Sequence, residues 1–198
     1  MIKLYKKILY LINILILCSC TSSSDLEIKK VNFSSFNDLK ADFKTLIINN
    51  QYANKIEAPY IDYYVPEKLG NLTKKWVEKR FETQNKNSTN TLKITILKAN
   101  TLGFSLDSKA KIENILDNNA SIRIEMYIKT YIELLNSNGA QLAYCDIEIY
   151  KGKELGENIS LMERDYQIQE MTKSIFFSFD RLAVSKIKDV FKDYLPNS

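Results

Sequence analysis

From Ile122 to Leu134 the chain alternates with a period of two. Ile122, Ile124, Met126, Ile128, Thr130, Ile132 and Leu134 interleave with Arg123, Glu125, Tyr127, Lys129, Tyr131 and Glu133. Successive side chains of a strand point to opposite faces, so the run predicts a strand with one buried and one wet face. It leads to Asn138-Gly139, a strong signal for a two-residue hairpin turn. The return run Ala140–Lys151 carries Ala143, Cys145, Ile147 and Ile149 on one face. With Asn138 and Gly139 as the loop, Leu134 faces Ala143, Ile132 faces Cys145 and Ile128 faces Ile149. The outer face then pairs Lys129 with Glu148, Tyr131 with Asp146, and Tyr127 with Tyr150. A slip of one residue would turn both apolar sets to water, so the pattern fixes the register.

Other stretches supply weaker versions of the same signals. Phe43–Tyr52 predicts a first strand, followed by a proline-marked aromatic loop, residues 58–66. Pro66 and Glu67 suit the first turn of a helix on which Leu69, Leu72, Trp76 and Val77 recur at helical spacing, with Phe81 at the stripe's edge. Leu92–Leu97 alternates cleanly and predicts the second strand. From Thr101 to Asn119 the pattern fades, with Lys111–Leu116 as a short helix on a loop. Ser160-Leu-Met-Glu163 is a capping box. It opens a helix whose stripe runs through Leu161, Ile168, Met171, Ile175, Phe176, Phe179, Leu182, Ala183, Ile187 and Val190. Extended to Tyr194, that helix would be roughly 50 Å long at about 1.5 Å per residue. The sum is one α+β domain over residues 42–196: a mainly antiparallel sheet in the order β-α-β-β-β-α, with two helices packed on one face.

The N-terminus follows different rules. Lys3, Lys6 and Lys7 precede the apolar run Ile8–Leu17. Ten residues make about 15 Å of helix, half of the roughly 30 Å of hydrocarbon in a bilayer. The run therefore reads as the core of a signal peptide. Behind it stands Leu17-Cys18-Ser19-Cys20, which resembles the bacterial lipobox. Signal peptidase needs a small residue before the acylated cysteine; Ser19 fits, whereas Cys18 as acceptor would place Leu17 there. Residues 1–19 are thus expected to be a cleaved lipoprotein signal, with Cys20 lipidated and residues 20–41 forming the lipidated end and tether. Several acyl chains give the stable membrane anchoring that one does not. Thr21, rather than an aspartate, points by the sorting rule of enteric lipoproteins to the outer membrane, facing the periplasm.

Cleavage also changes the charge. The whole chain has 28 basic and 24 acidic residues, and residues 1–19 hold three of the lysines and no acid. The mature chain would carry 25 against 24, a net +1, which removes the case for a nucleic-acid partner. Cys145 would be the one free thiol left, predicted inward as a small hydrophobe.

Candidate chemistry is sparse. The absence of histidine excludes Ser-His-Asp and Cys-His catalysis and histidine-ligated zinc. No glycine-rich phosphate loop and no metal-ligand spacing is present, so neither cofactor nor metal is expected, and the protein is read as not an enzyme. Phe177, Val184 and Phe191 recur every seven residues beside the main stripe of the last helix. Such a line docks a partner, or is covered by the first helix or by the 101–119 segment. Tyr60, Tyr63 and Tyr64 either bind a glycan or extended peptide or tuck over the core edge. Lys74, Lys75, Lys79 and Arg80 read as a solvated helix face, with anionic headgroups as the other reading.

Val65-Pro66, Leu72, Trp76 and Arg80-Phe81, then the long hairpin and Leu161-Met-Glu-Arg-Asp165, together resemble a group of small alphaproteobacterial envelope lipoproteins with no assigned activity. The order of elements is similar to that of the auxiliary lipoproteins of lipid-transporting ABC systems and of the lipopolysaccharide-assembly lipoprotein. That resemblance implies a non-enzymatic protein that docks on a membrane transport or assembly complex. The alternative it leaves is a periplasmic carrier holding a lipid or other hydrophobic ligand between sheet and helices.

Overall fold

The computed structural model describes residues 30–53, 55–82, 85–106 and 121–195. The signal peptide, Cys20 and the short helix expected at Lys111–Leu116 lie outside these residues.

The elements follow the predicted order: β1 (Thr45–Asn50), α1 (Leu69–Arg80), β2 (Thr91–Ser105), β3 (Ile122–Leu135), β4 (Gln141–Leu155) and α2 (Leu161–Val190), with a short 3-10 turn at Lys192–Tyr194. They form one four-stranded sheet in the order β1-β2-β3-β4. β1 runs parallel to β2 through the α1 crossover, and the other two pairs are antiparallel. Both helices cover the same face. Among the described residues no helix is long and apolar enough to cross a membrane.

The hairpin has the expected register. Leu134 lies opposite Ala143, Ile132 opposite Cys145, Lys129 opposite Glu148, and Tyr127 opposite Tyr150. Its turn differs from the expected two-residue loop. Gly139 donates its N–H to Asn136 O, Asn136 donates to Ala140 O, and Gly139 alone in the turn has a positive φ, +78°. This is a type I turn closed by a left-handed glycine, and a register shift beside Leu134 restores the expected pairing. β2 is longer than predicted. Leu92, Ile94 and Ile96 face the helices, but a bulge between Ile96 and Lys98 inverts the phase, so that Ala99, Thr101 and Gly103 continue the inner face.

α1 begins at Leu69, so Pro66 and Glu67 precede it instead of forming its first turn. Glu67 is a tie point: it accepts the Val31 N–H at 3.0 Å and lies 3.4 Å from the Gln169 amide. Ser160 caps α2 by accepting the Glu163 N–H at 3.1 Å. α2 stops at Val190 because Phe191 turns inward at its C-cap. Leu161 and Val190, expected in the buried stripe, stand exposed at the two ends of the helix.

The core between sheet and helices is filled by Trp76, Phe176, Phe179, Ile94, Ile128 and Ile132, with Phe43 and Phe81 beside them. Within the stretch expected as tether, Phe33, Phe36, Leu39 and Ala41 are all buried, so residues 31–41 form a strap laid against the helices. Arg80 fastens this strap. Its guanidinium Nε donates to Asp180 Oδ1 at 2.6 Å, its Nη1 donates to Asn37 O, and its plane lies 4.8 Å from the Phe36 ring centroid. Trp76 Nε1 donates to the same Asp180 oxygen at 2.7 Å. Arg80, expected on a solvated face, is therefore a buried cation joining α1, α2 and the strap.

Candidate binding site on the open face of the sheet

Among the described residues no helix covers the other face of the sheet. β3 and β4 present Tyr127, Tyr131, Tyr144 and Tyr150 there, as the alternation requires, with Lys129–Glu148 and Lys93–Glu133 pairs at 2.8 and 3.0 Å between them. At one end of this face lies a cavity of about 550 Å³. β2 and β3 supply its floor through Asn100, Leu102, Glu125 and Tyr127, β4 adds Tyr150, and the stretch after β1 walls it with Tyr52, Lys55 and Tyr60.

Each wall is held by an identifiable contact. The proline loop is bound to the sheet by a bridge between Tyr60 and Leu102 and by the Gly103 N–H donating to Pro59 O at 2.9 Å. Below it, the Tyr52 hydroxyl donates to Asp62, and Asp62 also accepts the Thr101 N–H at 2.7 Å. Burial raises the Asp62 carboxyl above its ordinary value despite these hydrogen bonds. Burial, with the Asp62 carboxylate beside it, also pushes the Tyr52 phenol well above 10. The Tyr52–Asp62 hydrogen bond pins the stretch after β1 to the proline loop.

Tyr150 lies over Gly152: a Cβ built on that glycine would sit 2.7 Å from the Tyr150 hydroxyl. Arg123 Nη2 holds the same hydroxyl at 3.0 Å, and Arg123 Nε pairs with Glu125 at 2.8 Å. The ammonium of Lys98 sits 5.3 Å from the Tyr127 centroid and that of Lys55 4.8 Å from the Tyr60 centroid. Asn100, only 8% exposed, has its Oδ1 buried on this floor, without a hydrogen-bond partner among the described residues.

The residues singled out from sequence are dispersed. Phe177 is 58% exposed, with the Phe36 ring 5.7 Å away from its centroid. Val184 is half-buried against the core and Phe191 fully buried. The three therefore make no continuous apolar ridge, and the strap covers part of what the first helix or the 101–119 segment was expected to cover. Of the loop tyrosines, Tyr60 lines the cavity, Tyr63 is exposed, and Tyr64 packs on the core with its hydroxyl 3.2 Å from Asp165 Oδ1. Lys74 and Lys79 are in exposed ion pairs, with Glu78 and Glu82, while Lys75 pairs with Glu67. Cys145 is buried in the core, and burial raises its thiol from 9.0 to about 11. Among the described residues no cluster of three acidic or thiol side chains could hold a metal ion. Tyr52, Lys55, Lys98 and Asn100 escaped the sequence reading; the one signal was the pairing of Tyr127 with Tyr150 on the outer face.

Fold and site together define a small α+β domain with helices on one sheet face and an aromatic groove on the other. No family model matches the chain, and no curated protein matches it. Among solved structures it is similar to a minor lipoprotein from Acinetobacter baumannii, with 11% identity, a TM-score of 0.38, and coverage of 80% of this chain and 98% of that one. It is similar also to a DUF330 protein from Xanthomonas campestris, with 12% identity, a TM-score of 0.35, and coverage of 81% and 96%. A third is a protein from Caulobacter crescentus described as a lipoprotein, with 12% identity, a TM-score of 0.31, and coverage of 71% and 91%. At such TM-scores none of these proteins lends its function to this chain.

Proposed function

We propose that the protein is a non-enzymatic, lipid-anchored accessory protein of the cell envelope. Acyl chains on Cys20 hold it in the outer membrane, facing the periplasm, and it docks on a membrane transport or assembly complex. The observation that carries this reading is Leu17-Cys18-Ser19-Cys20 placed directly behind a ten-residue apolar run. Docking through α2 centres on Phe177, since Phe191 and Val184 are taken up by the core. A trough of about 490 Å³ surrounds Phe177 with Lys173, Ser174, Ser178 and Arg181.

Two measurements test the two halves. Labelled palmitate should enter the wild-type protein and not Cys20→Ala, which should leave the membrane fraction; an unlabelled wild type ends the anchored reading. A photocrosslinking residue at position 177 should capture an envelope protein. If it captures none and Phe177→Asp is silent in cells, the docking reading fails.

A second reading, a ligand carrier, is favoured by the cavity on the open sheet face. The space between sheet and helices is occupied by Trp76, Phe176 and Phe179, so a ligand would lie on the tyrosine face instead of between the layers.

A further inference from the structure

We propose that the groove on the open sheet face is a saccharide site, taking an oligosaccharide that carries an acidic sugar. This rests on the carrier reading of that face and gives it a ligand class. Four features carry it.

The first is the platform. Tyr150 lies against the sheet because Gly152 leaves room for its ring, and Arg123 pins its hydroxyl at 3.0 Å. A ring held at both ends presents a flat, fixed face, about half exposed. Aromatic faces carry negative charge density, and the axial C–H bonds of a pyranose are polarised positively, so such a face suits a sugar ring.

The second is that neighbouring rings already receive positively polarised groups: Lys98 over Tyr127 and Lys55 over Tyr60. Tyr60, Tyr127 and Tyr150 edge one cavity of about 550 Å³, within the range of small-molecule sites.

The third is the unpartnered acceptor. Asn100 Oδ1 is buried on the groove floor with no donor among the described residues. A buried acceptor without a partner is costly, and a ligand hydroxyl is the kind of group that would satisfy it. A hydrocarbon chain would leave it unmet.

The fourth is charge and backbone. Glu125 is already paired with Arg123 at 2.8 Å, while the ammonium groups of Lys55 and Lys98 rest on tyrosine rings, so the groove favours a carboxylate on the ligand. β3 is paired with a strand on each side, whereas β1 pairs β2 only as far as Ile96; beyond it the proline loop takes the β2 edge, Ile61 N–H donating to Thr101 O and Gly103 N–H to Pro59 O. With Thr101–Gly103 already held by the proline loop, an extended peptide has no open ladder at that end of the groove, and side chains carry the recognition there.

The test is titration of the full-length, detergent-extracted protein with tetragalacturonate, cellotetraose and an unrelated acidic tetrapeptide. Tetragalacturonate should bind, and Tyr150→Ala and Tyr127→Ala should each weaken it by about tenfold, with the unfolding midpoint nearly unchanged for the exposed Tyr150. Lys98→Gln should reduce the preference over cellotetraose at least threefold. Binding of neither sugar, equal binding of both, or binding indifferent to Tyr150→Ala overturns the assignment, as does tighter binding of the peptide. Crosslinking from position 177 and palmitate labelling are read separately, so the saccharide site can fail while anchoring and docking stand.

Discussion

Arg80 shows how little a residue's neighbours in sequence say about its role. Beside Lys74, Lys75 and Lys79 it reads as one more solvated cation, yet it meets Asp180, a hundred positions away, inside the protein. Local pattern reports which face of a helix a residue occupies, and nothing in it reports what the strap and α2 bring there. A buried cation stripped of its partner is strongly destabilising, by about 3–5 kcal/mol. Asp180→Ala should therefore lower the unfolding free energy from urea denaturation by about that amount, and Trp76, which shares the same carboxylate, should report the loss in its fluorescence. Arg80→Lys should be costly too, because an ammonium cannot make the forked contact with Asp180 and reach Asn37 O as well. Cys145 was legible from the alternation alone, and its behaviour with pH follows from where it sits. Its folded thiol is raised to about 11 from 9.0. The folded state thus keeps a proton that the unfolded chain has released, so stability is complete below about pH 9 and falls as the pH rises towards 11. Native protein should react slowly with a thiol reagent at pH 8 and rapidly once denatured; equal rates would place the sulfur at the surface.

Elements were legible where one periodicity held without interruption. β3 and β4 obey a period of two over a dozen residues, and their register follows. β2 hides half its length because the bulge after Ile96 shifts the inward phase from even to odd positions, a change that looks like loss of pattern. The turn was misread for a related reason: the same Asn138-Gly139 pair serves a type I turn with one left-handed residue, and the register shift near Leu134 absorbs the difference. The two turn types are separable by mutation. Gly139→Ala should cost about 1 kcal/mol, since an alanine resists a φ of +78°. Asn138→Ala should be nearly neutral, whereas a two-residue type I′ loop would make both positions sensitive. Chemical denaturation of the two variants side by side decides it.

At the scale of the molecule, the order of elements and the side on which the helices lie could be read in advance, and the strap and the groove could not. Phe33, Phe36 and Leu39 sit in a polar stretch with no period, and only the assembled helices show where they go. The groove likewise needs the stretch after β1, the proline loop and two distant strands to coexist. Each strap side chain buried contributes about 1.5–3 kcal/mol. A chain beginning at Asp42 should therefore be destabilised by several kcal/mol relative to one beginning at Lys30; equal midpoints would mean the strap is dispensable. The strap also sets a distance. If Cys20 is acylated, ten residues, Thr21–Lys30, separate the lipid from Val31, whose N–H is held by Glu67. At no more than about 3.5 Å each they extend to roughly 35 Å. On so short a leash the protein would patrol only a thin layer beside its own bilayer, and anything it meets must come to that surface.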